Sequence, residues 1–414
     1  MTRSTDVLIL GAGAIGLSSA WYLLAGGREV TLLDQGTPGC GSSHGNCGTI
    51  TPSHAPPLAK PGMVRQALEW MLREDAPFYV RPRLDPTLWR WLWDFARHCN
   101  WRDFRPALEA KARLLLESRR LLAELIREAA LDCEYRECGH LTVFTDPQAL
   151  DAFAWWPRAL HEVGIEVHAY DGAALRQREP CLRDRVIGGF DTPIDAMFKP
   201  DRFVAELAAR VGTAGARIHG GDAVVSIDPD AGLVRTASGA EWRARDIVIA
   251  LGAWSPLLAR QLGLRLPVQP GKGYSITSTL PRSVPTVPIV CRERSVAITP
   301  WQHTFRLGST MEFSGYDASL NRTRIEALVR GASEYLHDPI GETRLEEWSG
   351  WRPMTHDDIP IIGAAPGHQR LWVATGHGML GMSMAAGTGL LLADLLLGRA
   401  PTIDPCPYSP TRFH

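Results

Sequence analysis

Apolar positions along the chain fall into two spacings. Apolar runs at residues 7–10, 30–33 (interrupted by Thr31), 247–251 and 371–374 have the length of strands buried on both faces. Alternating runs at 274–278, 296–300 and 305–310 suit strands with one covered face. Residues 139–145, 166–170, 187–192, 216–219, 223–228 and 233–236 are further strand candidates. Helical spacing extends from residue 63 to about residue 130, with breaks near Pro82 and Pro86. It returns for about a dozen residues after Asp146, at 200–211 behind Pro200, at 322–336, and in an apolar stretch ending near Gly398. Prolines 52, 56, 57 and 61 are expected to keep residues 49–62 extended.

The first apolar run breaks at a G-x-G-x-x-G turn made by Gly11, Gly13 and Gly16, then continues through Ala14 and Ile15 into a small-residue helix. Each glycine has its own reason: Gly11 permits the turn, Gly13 lets the backbone approach a pyrophosphate, and Gly16 lets the helix lie on the strand. Phosphates suit the helix N-terminus, where N–H groups lack intrahelical partners. The next strand ends at Asp34 and Gln35. Asp34 has the spacing, about 20 residues on, of a carboxylate that holds a ribose hydroxyl. A turn-rich segment follows, with Ser42, Ser43, His44, Asn46, Cys47 and Gly48. A loop directly after the ribose-binding strand passes close to a bound dinucleotide.

Strand-turn units recur at 246–255, including Gly252 and Trp254, and at 371–378, so the dinucleotide domain is interrupted. The expected fold is α/β plus α+β: a discontinuous Rossmann-like domain from residues 1–60, 198–266 and 343–414, and a substrate domain from 61–197 and 267–342 built on a mainly antiparallel sheet with helices.

At 414 residues the chain has room for two domains, and its hydrophobic (45%) and charged (21%) fractions are ordinary for a globular protein. A net charge of −1 offers nucleic acid no basic face. Only Lys60, Lys111, Lys199 and Lys272 are lysines; arginine supplies the other basic positions, a bias that carries little functional information. Eight scattered cysteines make neither a disulfide framework nor a C-x-x-C metal site, so no metal is expected. Residues 1–6 enter the first strand without signal-peptide character, and residues 380–397 are interrupted by Asp394, which favours a buried helix over a membrane span. A cytoplasmic protein is expected. Trp70, Trp89, Trp91, Trp93 and Trp101, interleaved with arginines, suit either core packing or peripheral contact with the inner membrane face.

Taken together, the N-terminal glycine unit, the return at 246–252, Gly350-Trp351-Arg352-Pro353 and Thr375-Gly376-His377-Gly378 resemble the D-amino acid oxidase-like family of FAD flavoproteins. Residues 53–62, 270–275 and 89–92 are similar to bacterial D-amino acid dehydrogenases. The resemblance implies non-covalent FAD, with His44 or Cys47 as the positions for any covalent link. It places His44, Asn46 and Cys47 on the loop lining the flavin ring and Val224 at the adenine. Gly378, Met379, Leu380 and Gly381 fall where a helix N-terminus meets the flavin.

The resemblance also makes Arg352 the clamp for a substrate carboxylate, which a planar guanidinium suits. Tyr274 is a candidate substrate hydrogen-bonding group or a packed strand residue, and His377 a candidate base or a packing residue. Asp357 and Asp358 read as a solvated turn. The implied reaction removes hydride from the Cα of a D-amino acid, or of a cyclic amine such as D-proline or hydroxy-D-proline, to flavin N5. The amino acid imine hydrolyses to a 2-oxo acid. Electrons then pass to a quinone or another carrier. The alternatives are a sarcosine/glycine-type oxidase that makes peroxide and a flavin-holding subunit without chemistry.

Overall fold

The computed structural model describes residues 2–71 and 78–414; part of the expected helical stretch, at 72–77, lies outside the described residues. The described chain forms two large sheets. In the first, a parallel set runs in the order Arg217–His219, Val30–Leu33, Arg3–Leu10, Glu241–Ile249, Leu371–Thr375. Numbered by sequence, this is a 3-2-1-4-5 arrangement, which opens a crevice at the carboxyl ends where the order reverses. That switch point lies between Arg3–Leu10 and Glu241–Ile249. An antiparallel hairpin, Val224–Asp228 with Leu233–Thr236, joins the N-terminal half of Glu241–Ile249, and Ile361–Ala364 pairs with Leu371–Thr375.

The central strands are apolar on both faces because helices cover both. Val7, Ile9 and Leu32 point into one core and Leu8, Leu10 and Ile247 into another. The helix Ala14–Ala25 lies across Gly381–Leu397, and the long helix Trp101–Glu128 lies across the same element. Small residues set these distances. A Cβ at Gly389 would come within 2.6 Å of the Ser18 backbone, and one at Gly387 within 2.9 Å of Ser118. The apolar stretch at 380–397 is therefore a buried packing helix. Among the described residues, no helix is long and apolar enough to cross a membrane.

The second sheet runs Arg344–Thr355, Val268–Ser278, Phe305–Phe313, Val296–Pro300, Ile289–Cys291, Leu141–Phe144, Gly188–Asp191, His168–Asp171, with Phe78–Val80 beside Phe305–Phe313. It is antiparallel except at Ile289–Cys291 with Leu141–Phe144 and at Phe78–Val80. Three expectations are revised here. Arg344–Thr355 pairs along its whole length with Val268–Ser278, so the segment that begins at 343 starts in the second sheet, not the first. Residues 49–62 are not uniformly extended: Pro52–His54 makes a 3-10 turn, which Pro52 can start because its first position needs no N–H. The helix after Asp146 is two helices, Pro147–Ala152 and Trp155–Glu162, the first capped by the Asp146 carboxylate on Gln148 N.

Candidate active site

One cavity of about 800 Å³ runs from the switch point of the first sheet onto the face of the second. At the first sheet it is lined by Gly11, Gly13, Ala14, Ile15, Asp34, Gln35, Val224, Gly252 and Trp254. Gly11 has φ +106°, and a Cβ there would run into the Ala250 carbonyl, so the two strands at the crevice close only around glycine. Gly16 packs instead of lining: its α-hydrogen faces the Gly11 carbonyl, as expected for the helix-on-strand glycine. Asp34 accepts from Ala12 N (2.7 Å) and Gly36 N (2.9 Å), which fixes its carboxylate at the cavity edge.

The loop after Asp34 turns across to the second sheet. Ser43 Oγ accepts from Ala14 N (3.2 Å), tying the loop to the helix start, and Ser42 Oγ donates to the Trp351 carbonyl. Asn46 Oδ1 accepts from Gly48 N (2.7 Å), while Gly48 itself, at φ +71°, packs against the Phe198 carbonyl. Ser42, Ser43, Asn46 and Cys47 line the cavity; Cys47 sits over Gly308, where no side chain would fit. Burial pushes the Cys47 thiol up, so it stays protonated. His44 behaves differently from the expectation of a flavin-facing ring: its Nε2 is 2.7 Å from Glu346 Oε1, turned to the second sheet. Arg306 completes this clamp, donating to the carbonyls of His44 (2.9 Å) and Asn46 (2.7 Å).

Strand register explains the other wall. In the pair Val268–Ser278 and Arg344–Thr355, Gly271 opposes Arg352, Gly273 opposes Gly350, and Ser275 opposes Trp348. Side chains alternate, so Arg352, Gly350 and Trp348 share one face and Tyr274 takes the other. Arg352 Nη1 donates to the Thr310 carbonyl (2.6 Å), and its guanidinium fills the space that a side chain at Gly273 would need. Among the described residues, no carboxylate pairs with Arg352. Burial away from water pulls its pKa down, since its charge has lost hydration without gaining a carboxylate partner among the described residues.

Tyr274 donates to Glu312 Oε2 (3.0 Å), and Arg324 in turn pairs with Glu312 (3.0 Å); the tyrosine is 1% exposed and packs in the second sheet's own core. The structure thus separates Tyr274's hydroxyl from Arg352, because adjacent residues of a strand face opposite sides. His377 is buried, with Nε2 2.9 Å from Thr388 Oγ1, and burial pushes it down to about 3, which keeps the ring neutral. Gly378 (φ +54°), Met379, Leu380 and Gly381 line the cavity at the start of the helix Gly381–Leu397.

Several lining residues escaped sequence reasoning. Asp358, expected in a solvated turn, pairs with buried Lys111 (2.5 Å) and accepts from Leu58 N (2.9 Å) at the cavity wall. Asp357 pairs with Arg412 (2.8 Å). Both aspartates point inward because the turn carries them toward cations supplied from residues 111 and 412. Trp348, Thr310, Met354, Lys60 and Arg292 also line the cavity. No pattern in the sequence marked Trp348, because Glu346, Trp348, Gly350 and Arg352 make a mixed face.

A dinucleotide fits this arrangement. The glycine cradle, where added side chains would collide, lies at one end, and an elongated cavity continues past Asn46 and Gly378 to the Arg352 guanidinium, which has no carboxylate partner among the described residues. Comparison with known proteins agrees. The model of the DAO family, FAD dependent oxidoreductase, matches residues 6–395. The D-amino acid dehydrogenase of Methylobacterium sp. (strain 4-46) is 35% identical over 98% of this chain and 99% of its own, and that of Rhizorhabdus wittichii 37% over 96% and 97%. Among solved structures, glycine oxidase from Geobacillus kaustophilus superposes with a TM-score of 0.81 at 24% identity, covering 99% of each chain. L-proline dehydrogenase from P. horikoshii has a TM-score of 0.76 at 17% identity, covering 100% and 98%. These two matches speak for the fold. By the extent of the family match and the end-to-end likeness to its relatives, the chain belongs to the FAD-dependent oxidoreductase family.

Proposed function

We propose that the chain oxidises a D-amino acid to its imine and passes the electrons to a quinone or another carrier. The observation that carries the reading is Arg352: a desolvated guanidinium, held by the Thr310 carbonyl at a cavity wall, with no protein carboxylate opposite it among the described residues. A substrate carboxylate supplies the missing charge with matched geometry. FAD, when bound, provides the acceptor for the Cα hydride.

The chain's own residues bind and orient. Gly11, Gly13, Ala14 and Ile15 receive the pyrophosphate, Asp34 and Gln35 the ribose, and Val224 the adenine. Ser42, Ser43, Asn46, Cys47, Gly252 and Trp254 wall the flavin, with the helix N-terminus at Gly378, Met379, Leu380 and Gly381 facing it. A neutral thiol at Cys47 and an imidazole spent on Glu346 at His44 support non-covalent FAD. His377 and Tyr274, each bonded within the protein, shape the site without touching substrate. The pairing of Arg344–Thr355 supports a substrate domain of residues 61–197 and 267–355, with the FAD-binding domain from 1–60, 198–266 and 356–414.

An apolar arm of the cavity, lined by Met63, Ala67, Trp70, Phe95 and Phe313, lies beside helices that expose Leu68, Met71, Trp89 and Trp93. That combination supports a lipid-soluble acceptor reached at a membrane surface.

The test is anaerobic bleaching of the yellow holoprotein by a panel of D- and L-amino acids, D-proline and sarcosine. Bleaching by D-amino acids is the expected result, and none by any amino acid overturns the reading. Faster reoxidation by a quinone analogue than by air is expected of the acceptor assignment.

A further inference from the structure

The second sheet carries one row of partners across six strands: Trp348, Ser275, Gly308, Ala297, Val290 and Thr142. Directly opposed residues share a face, so this row is a continuous floor from the Arg352 end of the cavity to a distant arm. Arg292 lies two residues beyond Val290, in the turn that follows the strand, and lines the same cavity. The arm is walled by Phe153, Trp155 and Trp156.

Two cations stand in it. The Arg292 guanidinium lies 4.6 Å from the Phe153 ring centroid, and Lys60 Nζ 4.7 Å from that of Trp155. Aromatic faces are their contacts; among the described residues neither pairs with a carboxylate. The neighbouring cation, Lys111, is neutralised by Asp358. Burial, and after it the neighbouring cations, push Lys60 down to about 8 and His54, beside them, down to about 4. FAD phosphates do not fill it, because the glycine cradle is on the other sheet.

We propose that Arg292 and Lys60 form a second anion subsite, and that the preferred substrate is an amino acid whose side chain ends in a distal carboxylate. This rests on the reading above that Arg352 holds the α-carboxylate. Gly273, under the Arg352 guanidinium, and Arg292 are three strand spacings apart, roughly 14 Å between backbones. Arg352 leans over Gly273 and Arg292 rests on Phe153, and the cavity is continuous between them, which leaves room for a dicarboxylic amino acid with the aromatic walls against its methylene stem.

The test titrates holoprotein with succinate, adipate and suberate against butyrate, hexanoate and octanoate, following the perturbation of the flavin spectrum. At least one dicarboxylate is expected to bind tenfold or more tightly than the monocarboxylate of equal length. That ratio should collapse in Arg292→Gln and recover in Arg292→Lys, with Lys60→Gln as the second variant should Arg292→Gln fold poorly. No dicarboxylate preference in the wild type, or one that survives both Arg292→Gln and Lys60→Gln, overturns the subsite. The titration needs no turnover, so absence of bleaching by amino acids would remove the oxidase or dehydrogenase reading separately.

Discussion

The guanidinium of Arg352 occupies the space in which a side chain at Gly273 would stand, on the neighbouring strand. This fixes where a carboxylate can meet it. Gly273→Ala must push the guanidinium aside, which the sheet tolerates because the obstacle is the end of a flexible side chain. Arg352→Ala removes the charge altogether. Losing a buried charge-assisted bond to a ligand costs about 2–5 kcal/mol. Arg352→Ala should therefore lower kcat/KM for amino acids by roughly 10²–10³-fold while FAD stays bound, and Gly273→Ala should lower it by about tenfold or more, mainly through KM. Steady-state kinetics with matched flavin content measure both. Unchanged KM in Gly273→Ala would place the clamp elsewhere.

Lys111 and Asp358 form a buried ion pair, the lysine 2% exposed, and Asp358 sits at φ +58°, a conformation that a non-glycine residue holds only when its surroundings fix it. Removing one partner leaves the other charge buried. Lys111→Met should cost about 3–5 kcal/mol of stability, and Asp358→Asn a similar amount. The double variant should cost clearly less than the sum, because the second change removes the charge stranded by the first. Denaturant melts of the four proteins read the coupling directly.

How far the site could be read from sequence divides along physical lines. The switch-point end was legible because its signals are local. Gly11, Gly13 and Gly16 are glycines for reasons of backbone geometry within one turn, and Asp34 follows in the next strand. The tools that failed were those applied across sequence distance. Whether His44 faces a ligand or Glu346 depends on a strand three hundred residues later. Tyr274 and Gly273 are adjacent letters on opposite faces, and only the register with Arg344–Thr355 says which one meets Arg352. That strand itself was missed because Glu346, Trp348, Gly350 and Arg352 make a mixed face, polar enough to look like a turn. Two of the four lysines, Lys60 and Lys111, line the cavity, a placement that their scarcity does not reveal.

His377 is the one histidine in the turn from Thr375 to Gly378, and its environment argues against proton transfer. Burial holds it near 3, and its Nε2 bonds to Thr388 Oγ1. A general base contributes typically about 10²–10⁴-fold. His377→Asn should therefore reduce the rate of anaerobic flavin reduction by less than about tenfold, and leave the pH dependence of that rate unshifted. A loss of 10²-fold or more, with a displaced acidic limb in the pH profile, would restore His377 as a base.

The clamp between His44 and Glu346 predicts a pH window. The hydrogen bond to Glu346 raises His44 above the ordinary histidine value of 6.5, and the same bond lowers Glu346 below the ordinary 4.5. For His44, stability from the pair is fully present below 6.5 and is lost as pH rises through its raised value. For Glu346, it is fully present above 4.5 and is lost as pH falls through its depressed value. The stability difference between the wild type and Glu346→Gln should thus be greatest between about pH 4.5 and 6.5, fall away at lower pH, and drop above it only to the part that Glu346 keeps with Arg306 (3.5 Å). Each side chain is about one-third exposed, so solvent screens the pair and the maximum should stay under about 1 kcal/mol. The Arg306 bonds to the His44 and Asn46 carbonyls hold the loop from the other side. Thermal melts across pH 4 to 9 for the wild type, Glu346→Gln and His44→Gln would resolve the window. A difference that rises steadily with pH would mean that the imidazole binds Glu346 in its neutral form.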